Sequence, residues 1–190
     1  MYNEKETIIQ RLTQWMEDLG QFDLPDWDNL PQLDLYMDQV ILLLTRYLAP
    51  LDRGADERTI TASIINNYVR MKVIPPPVKK KYSRVHIAYL VMICTLKRSL
   101  SISCIQRMLP EDHSEEAVRQ LYTEFVRQYR SAISLLRRIP LQGGGAVLTG
   151  SSLLPEDGGS LVTTSAILST LSKALTEFLL QSDEPEDDDD

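Results

Sequence analysis

Apolar residues recur every three or four positions along most of the 190-residue chain, the spacing that places them on one face of an α-helix. In residues 4–19, one such face is formed by Ile8, Leu12, Trp15 and Leu19. The same spacing predicts helices over residues 4–19, 33–48, 62–72, 84–98, 101–109, 114–138 and 163–181. The pattern therefore predicts a mainly α protein.

Capping residues and prolines mark the helix ends in the middle of the chain. Thr61, Ser83 and Ser101 each precede a helical pattern, and their hydroxyl oxygens can accept hydrogen bonds from amides of the first turn. Prolines 75–77 cannot continue the helix over 62–72, and they force the chain into an extended conformation. The predicted order is a short helix, an extended segment, a longer helix and a short capped helix.

The helices of this middle region each have an apolar side and a polar side. In the helix over 62–72 we expect the inward side chains to be Ile64, Ile65, Tyr68 and Met71, and the outward ones Ser63, Asn66, Asn67 and Arg70. The predicted buried side of the helix over 84–98 consists of Ile87, Leu90, Val91, Cys94 and Leu96. In the helix over 33–48 it consists of Tyr36, Val40, Leu43, Leu44 and Tyr47.

The helix over 114–138 has a heptad-like seam. Its apolar positions, separated alternately by four and three residues, are Val118, Tyr122, Phe125, Tyr129, Ala132 and Leu136. A seam of this kind is typical either of a helix packed in its own core or of a dimer interface. The pattern alone leaves both alternatives open.

The net charge of -7 is that of an ordinary acidic protein, but the charged residues are distributed in three blocks of different sign. Residues 1–57 carry a net charge of -8 and residues 111–190 carry -9. Residues 58–110 between them hold ten Lys and Arg residues and no Asp or Glu. Such a block is typical of a surface that binds a polyanion. The alternative is chance clustering on a solvated face.

The basic block contains the residue types that contact DNA. Asn pairs bidentately with adenine and Arg with guanine, so the polar face of the helix over 62–72 can read bases. Lys79, Lys80 and Lys81 are point charges suited to phosphates, which position a protein without reading sequence. The predicted DNA-binding set is Thr61, Ser63, Asn66, Asn67, Arg70, Lys72, Lys79, Lys80, Lys81, Tyr82 and Arg84. Tyr82 can alternatively pack at the base of the basic segment.

The string INNYVRMKVIPPPVKKKYSRVHIAYLVMICTLKRSLSISCIQRML resembles the winged helix-turn-helix of MerR-type regulators. The matching positions are Tyr68, Val73, Ile74, Pro75, Tyr82, Ser83, Ile93, Leu96, Lys97, Ser101, Ile102, Ile105, Met108 and Leu109. The stretch SIINNYVRMKVIPPPVKKKYSR, with the preceding LDLYMDQV, is similar to a bacterial family known as domain of unknown function 1836. Together these resemblances cover about residues 30–110. They imply a MerR-like core that reads DNA with the helix over 62–72 and a basic wing over 78–84.

The resemblance also implies a homodimer. MerR-type regulators dimerise through a helix at the position of residues 114–138, which would assign dimerisation to Val118, Tyr122, Phe125, Tyr129 and Leu136. The sequence departs from the MerR pattern in two places that bear on the groove contacts. MerR proteins usually have Arg-Tyr where this chain has Asn66 and Asn67, and Gly where it has Lys72. The cysteines of metal-sensing members are missing, so we carry over no metal sensing.

Signatures of other function classes are missing from the sequence. There is no P-loop and no GxGxxG motif, and no strand precedes the glycines at 143–145, so we expect no enzyme. His86 and His113 are isolated, so we expect no metal and no other cofactor. No apolar stretch is long enough for a bilayer, and the two cysteines make no disulfide framework. We therefore expect a reduced, cytoplasmic protein without membrane partners.

The predicted organisation is a MerR-like core with flanking amphipathic helices. We expect an N-terminal helix and connector over 1–32, a DNA-binding domain over 33–110, a long dimerisation-type helix over 111–140, a flexible linker over 141–162, a C-terminal helix over 163–182 and a disordered acidic tail over 183–190. The tail, DEPEDDDD, could fold back on Lys79–Lys81 and compete with DNA. The leading hypothesis is a dimeric regulator that binds double-stranded DNA. The alternative is a protein–protein or RNA interaction module on a winged-helix scaffold.

Overall fold

The computed structural model describes residues 13–15, 17–18, 23–49, 51, 60–110, 112–136 and 158–181. Within them the chain is mainly helical, as the sequence predicts, and no strand is formed. A short 3-10 helix spans Trp27–Asn29. The α-helices are α1 (Met37–Leu48), α2 (Ala62–Arg70), α3 (Arg84–Leu96), α4 (Ile102–Gln106), α5 (Glu115–Leu136) and α6 (Gly158–Gln181). None of these helices has the length and apolar composition needed to cross a bilayer.

Helix α3 is the centre of the fold. Every side chain from His86 to Leu96 is buried, because α1, α4, α5 and α6 all pack against this helix. The sequence predicts one buried side for this helix, whereas the structure buries its whole circumference. A helix that is apolar all round belongs in the middle of a core. Each large apolar side chain buried here stabilises the fold by roughly 1.5–3 kcal/mol.

Helix α1 begins four residues later than the sequence pattern predicts, because the preceding residues are extended. Leu35 exchanges two backbone hydrogen bonds with Tyr82, at 2.9 and 2.8 Å. Tyr36 is the N-cap of α1, and its backbone N–H donates to Oε1 of Gln39 at 2.9 Å. Tyr36 is therefore 51% exposed and does not join the buried face to which the sequence assigns it.

Helix α2 ends two residues earlier than expected, in a Schellman motif. The backbone N–H of Val73 donates to the carbonyl of Tyr68 at 2.9 Å, and that of Lys72 to the carbonyl of Val69 at 3.0 Å. Lys72 therefore has a left-handed backbone, with φ 57°. Met71 lies beyond the helix and is 40% exposed, although the sequence pattern places it inward.

The Cβ of Lys72 destabilises the left-handed conformation. A glycine, which has no Cβ, would adopt this conformation at a lower cost in free energy. We expect Lys72→Gly to raise the free energy of unfolding by about 1 kcal/mol. Lys72→Ala is the control, because it removes the same charge and keeps the Cβ. Chemical denaturation of the three proteins measures the difference. Equal stability of the Gly and Ala variants would contradict the backbone explanation.

The heptad-like seam of α5 faces the interior of the same chain. Four of the five residues assigned to dimerisation are at most 2% exposed: Val118, Tyr122, Phe125 and Tyr129. Helices α3 and α6 and the 3-10 helix all pack against α5. The chain itself therefore supplies apolar partners for these four side chains, which is the core alternative that the sequence leaves open. The side chain of Leu136 lies outside the described residues.

Tyr122 and Arg130 of α5 form hydrogen bonds to the connector before α1. The hydroxyl of Tyr122 donates to the carbonyl of Pro25 at 2.8 Å, and the Tyr122 ring meets that of Trp27 edge to face. The guanidinium of Arg130 bonds both carboxylate oxygens of Asp23, at 2.7 and 2.8 Å, and one of Asp26, at 2.8 Å. Residues 23–27 of the connector are thus attached to α5.

Helix α6 covers α3 and α5 from the other end of the chain. Its Thr170 is buried and bonds the hydroxyl of Ser99 at 2.8 Å. The helix begins at Gly158, so the last five residues of the expected linker are helical. The rest of that linker, the acidic tail and most of the N-terminal helix lie outside the described residues.

Candidate nucleic-acid interface

Residues 78–81 form a two-residue hairpin, which we call the lysine turn. Val78 and Lys81 exchange backbone hydrogen bonds at 3.1 and 2.9 Å. The two central residues have positive φ, 50° for Lys79 and 64° for Lys80. Positive φ at both positions is the property of a type I′ turn, which usually contains Asn-Gly. The sequence places two lysines there, and both side chains are exposed.

The lysine turn is anchored to the N-terminus of α1. The ammonium of Lys81 lies 5.2 Å from the centre of the Tyr36 ring, a cation–π distance. Lys81 is half-buried by this contact, so Lys79 and Lys80 are the more accessible charges. Tyr82 is 2% exposed and its ring packs edge to face on His86. Its burial leaves no ring surface for DNA, so Tyr82 has the packing role that the sequence left as an alternative.

His86 connects the base of the lysine turn to α3. Its Nδ1 accepts the backbone N–H of Ser83 at 3.0 Å and lies 2.8 Å from the Ser83 hydroxyl. Its Nε2 lies 3.4 Å from the carbonyl of Pro76. Acceptance at Nδ1 requires the neutral imidazole. Burial lowers the pKa of His86 below its usual value, and the hydrogen bond to the carbonyl of Pro76 offsets part of that effect.

The lowered pKa of His86 predicts a pH-dependent stability. The unfolded chain binds the proton of His86 more tightly than the folded chain does. The stability that neutral His86 contributes is therefore fully present above about pH 6.5 and is lost as the pH falls through the folded-state pKa. We expect the wild type to lose more stability than His86→Gln between about pH 7.5 and pH 5.5. Gln keeps an acceptor for the N–H of Ser83 but does not titrate. Urea unfolding at both pH values measures this, and parallel losses would contradict it.

The polar face of α2 is exposed as expected, but its two asparagines differ. Nδ2 of Asn67 donates to Sδ of Met71 at 3.3 Å, and Oδ1 of Asn67 accepts from the guanidinium of Arg70 at 2.6 Å. Asn67 is therefore engaged within its own helix, where it orients Arg70. The side chain of Asn66 is exposed and forms no hydrogen bond with another described residue. Of the two amides, only that of Asn66 is free for bidentate pairing with adenine.

A shallow depression of about 760 Å³ runs beside α2, and we call it the α2 groove. Its polar lining consists of Ser63, Asn66, Asn67, Arg70 and Lys97. Lys97 is the C-cap of α3 and is not a member of the predicted DNA-binding set. Its signals in the sequence are membership of the acid-free block and a match to the MerR pattern. The groove brings four of the expected DNA-binding residues together with this additional cation.

The remaining members of the expected set have different surroundings. Thr61 caps α2, since its hydroxyl oxygen accepts the backbone N–H of Ile64 at 3.3 Å. Arg84 stacks on the Trp27 ring at 5.6 Å and lines a separate depression with Asp34 and Glu115. The Trp27 ring covers one face of the guanidinium, and Arg84 does not line the α2 groove.

The exposed cations of the acid-free block are not neutralised within the described part of the chain. No carboxylate there forms an ion pair with Arg70, Lys72, Lys79, Lys80 or Lys97, whereas the ion pairs that do occur involve Arg119, Arg127 and Arg130 of α5. The same residues contain no group of three His, Cys, Asp or Glu that could hold a metal ion. The surface therefore carries free positive charge of the kind that binds phosphates.

Comparisons with known proteins identify a family. Neither the curated proteins nor the solved structures contain a match to the chain. A family model described as Domain of unknown function (DUF1836) matches residues 25–125, just over half of the chain. The match begins at the connector, includes α1 to α4 and ends within α5, so it spans both the lysine turn and the contact of Tyr122 with the connector. The chain belongs to the DUF1836 family.

Proposed function

We propose that this protein is a DNA-binding transcriptional regulator of the MerR-like winged-helix type. Helix α2 enters the major groove and the lysine turn acts as the wing that contacts the backbone. Asn66 reads a base, while Lys79 and Lys80 neutralise phosphates. Base readout and positioning on the backbone are thus carried out by different residues, as in DNA-binding proteins generally.

The observation that carries the proposal is the backbone conformation of three lysines. Lys72, Lys79 and Lys80 all have positive φ, a conformation that costs a residue with a Cβ roughly 1 kcal/mol or more. Gly or Asn would occupy these positions at lower cost. Strained positions of this kind occur preferentially at functional sites. All three lysines are exposed, so the strain is not offset by packing of their side chains.

The order of elements also supports a winged helix-turn-helix. Helices α1 and α2 pack on each other, a two-residue hairpin follows α2, and α3 with α4 completes the unit. Residues 78–82 supply only two isolated bridges, so the wing is reduced to one turn and its anchor at Leu35. A wing this short has little conformational freedom to lose on binding. This lowers the entropic cost of placing its lysines on phosphates.

The test is retention of fragments of the protein's own genome, followed by sequencing at near-physiological salt. The wild type should enrich a few sites that share a motif. Asn66→Ala should bind the motif less tightly by a factor of about 10 to 100, since a bidentate base contact contributes about 1–3 kcal/mol. Its binding to unrelated duplex should change little. Thr123→Ala, at an exposed polar position of α5, is the matched control and should resemble the wild type.

The outcomes separate the proposal from its alternative. Enriched motifs with two-fold symmetry would support a homodimer, whose interface would then lie outside the inward seam of α5. Retention without any preferred sequence, or no retention, would overturn the proposal of a regulator. In that case the basic surface serves an acidic protein or an RNA, and capture of those partners becomes the next experiment.

A further inference from the structure

The α2 groove has a cation at the C-terminal end of each of two helices, α2 and α3. Arg70 is the last residue of α2, and Lys97 follows the last residue of α3. Both side chains are exposed and line the same depression. Neither has a carboxylate partner in the described part of the chain. Two uncompensated cations that line one concave polar surface raise the local positive potential, which attracts anions.

Arg70 is held in place before any ligand arrives. Its hydrogen bond to Oδ1 of Asn67, at 2.6 Å, uses one of the five guanidinium N–H groups and leaves the others available. The guanidinium is planar and matches two oxygens of a phosphate, whereas the ammonium of Lys97 acts as a point charge on a flexible stem. The pair thus combines an oriented, planar guanidinium with an ammonium group on a flexible side chain.

We infer that the α2 groove binds one backbone phosphate of the DNA, held by Arg70 and Lys97 and adjacent to the base that Asn66 reads. This inference rests on the proposed function. It gives Arg70 a different role from the guanine reader that the sequence indicates, because Asn67 directs its guanidinium along the helix. It also adds Lys97, which belongs to α3, so one phosphate connects the reading helix to the central helix.

A phosphate contact and a base contact leave different signatures on binding. Loss of a phosphate contact weakens binding to matched and unmatched duplexes alike and lowers the salt slope by about 0.9. Loss of a base contact lowers specificity at one base pair and leaves the salt slope unchanged. The two roles of Arg70 are therefore distinguishable by experiment.

The experiment measures affinity against salt concentration for Lys97→Gln and Arg70→Gln on the retained motif and on a scrambled duplex. Each variant should bind both duplexes roughly tenfold more weakly, with a salt slope smaller by about 0.9. Arg107→Gln is the matched control, because Arg107 is an exposed cation of the same acid-free block that does not line the groove. Its slope should be reduced by much less. Thermal unfolding of each variant verifies that the fold is unchanged.

A second measurement identifies the phosphate. Replacing individual phosphates of the motif by neutral methylphosphonates should reveal one position at which wild-type affinity falls but the affinities of Lys97→Gln and Arg70→Gln fall no further. If Lys97→Gln retains the wild-type slope, or if Arg70→Gln loses discrimination at a single base pair, the inference is overturned while the proposed function stands. If the wild type itself ignores DNA, the proposed function fails.

Discussion

Under the proposed function, the double variant Lys79→Asn with Lys80→Gly is expected to bind DNA about 10- to 100-fold more weakly than the wild type, with a salt slope smaller by about 1.8. Both lysines lie at the exposed tip of the lysine turn, and each is assigned one phosphate. Asn-Gly is the pair that type I′ turns favour, so the substitution removes charge and also removes backbone strain. Fluorescence anisotropy over a salt series measures the affinity.

The same variant distinguishes the effect of lost charge on DNA binding from the effect of lost stability. Its free energy of unfolding should equal that of the wild type or exceed it by up to about 1 kcal/mol, because Gly adopts positive φ without steric cost. Weaker DNA binding in a protein that is at least as stable can only reflect the lost ammonium groups. The control is Lys79→Arg with Lys80→Arg, which keeps both charges and the strained backbone and should retain most of the affinity. Undiminished binding by the Asn-Gly variant would rule out the lysine turn as a wing.

Tyr122→Ala is expected to lower the free energy of unfolding by about 3–5 kcal/mol, the usual cost of truncating a buried aromatic residue. Tyr122 is fully buried between α5 and the connector, and burial raises the pKa of its hydroxyl. The truncation removes the edge-to-face contact with Trp27 and leaves the carbonyl of Pro25 without its donor. Urea denaturation followed by circular dichroism measures the loss.

The companion variant Tyr122→Phe keeps the ring and removes only the hydrogen bond, so it should cost about 1–2 kcal/mol. Protein concentration is the decisive variable for the seam of α5. Residues that stabilise a single chain give the same loss at every concentration, whereas residues of a dimer interface give a loss that depends on concentration. A dependence on concentration, or an effect of Tyr122→Ala below about 1 kcal/mol, would return the seam to the dimer interface.

Local features of this protein are predictable from its sequence because they depend on neighbouring residues. The caps at Thr61 and Ser101 form as expected, since each requires only an oxygen near the first-turn amides. The exposed side of α2 follows from the helical period. The end of α2 was harder to predict, because Lys72 occupies a left-handed position that glycine usually marks. The sequence does not predict the hairpin at the lysine turn for the same reason, since the two lysines do not resemble Asn-Gly.

Contacts between distant segments were not predictable from the pattern. Tyr36 belongs to an apolar period, yet it lies outside the core because Leu35 pairs with Tyr82 and fixes where α1 begins. Arg84 belongs to the basic block, yet it stacks on the Trp27 ring and lines a depression other than the α2 groove. Lys97 joins the α2 groove only because α3 ends beside α2. In each case the deciding partner is more than ten residues away in sequence.

The sequence by itself determined the helices, most of their ends, the acid-free block and the membership of the family, because periodicity, capping and charge are properties of short segments. The tertiary structure decided which apolar faces meet. It buried α3 on all sides, packed the seam of α5 against the chain's own core and stacked Arg84 on Trp27. Helical periodicity identifies an apolar face but not the element that covers it, since that choice is made by packing among segments distant along the chain.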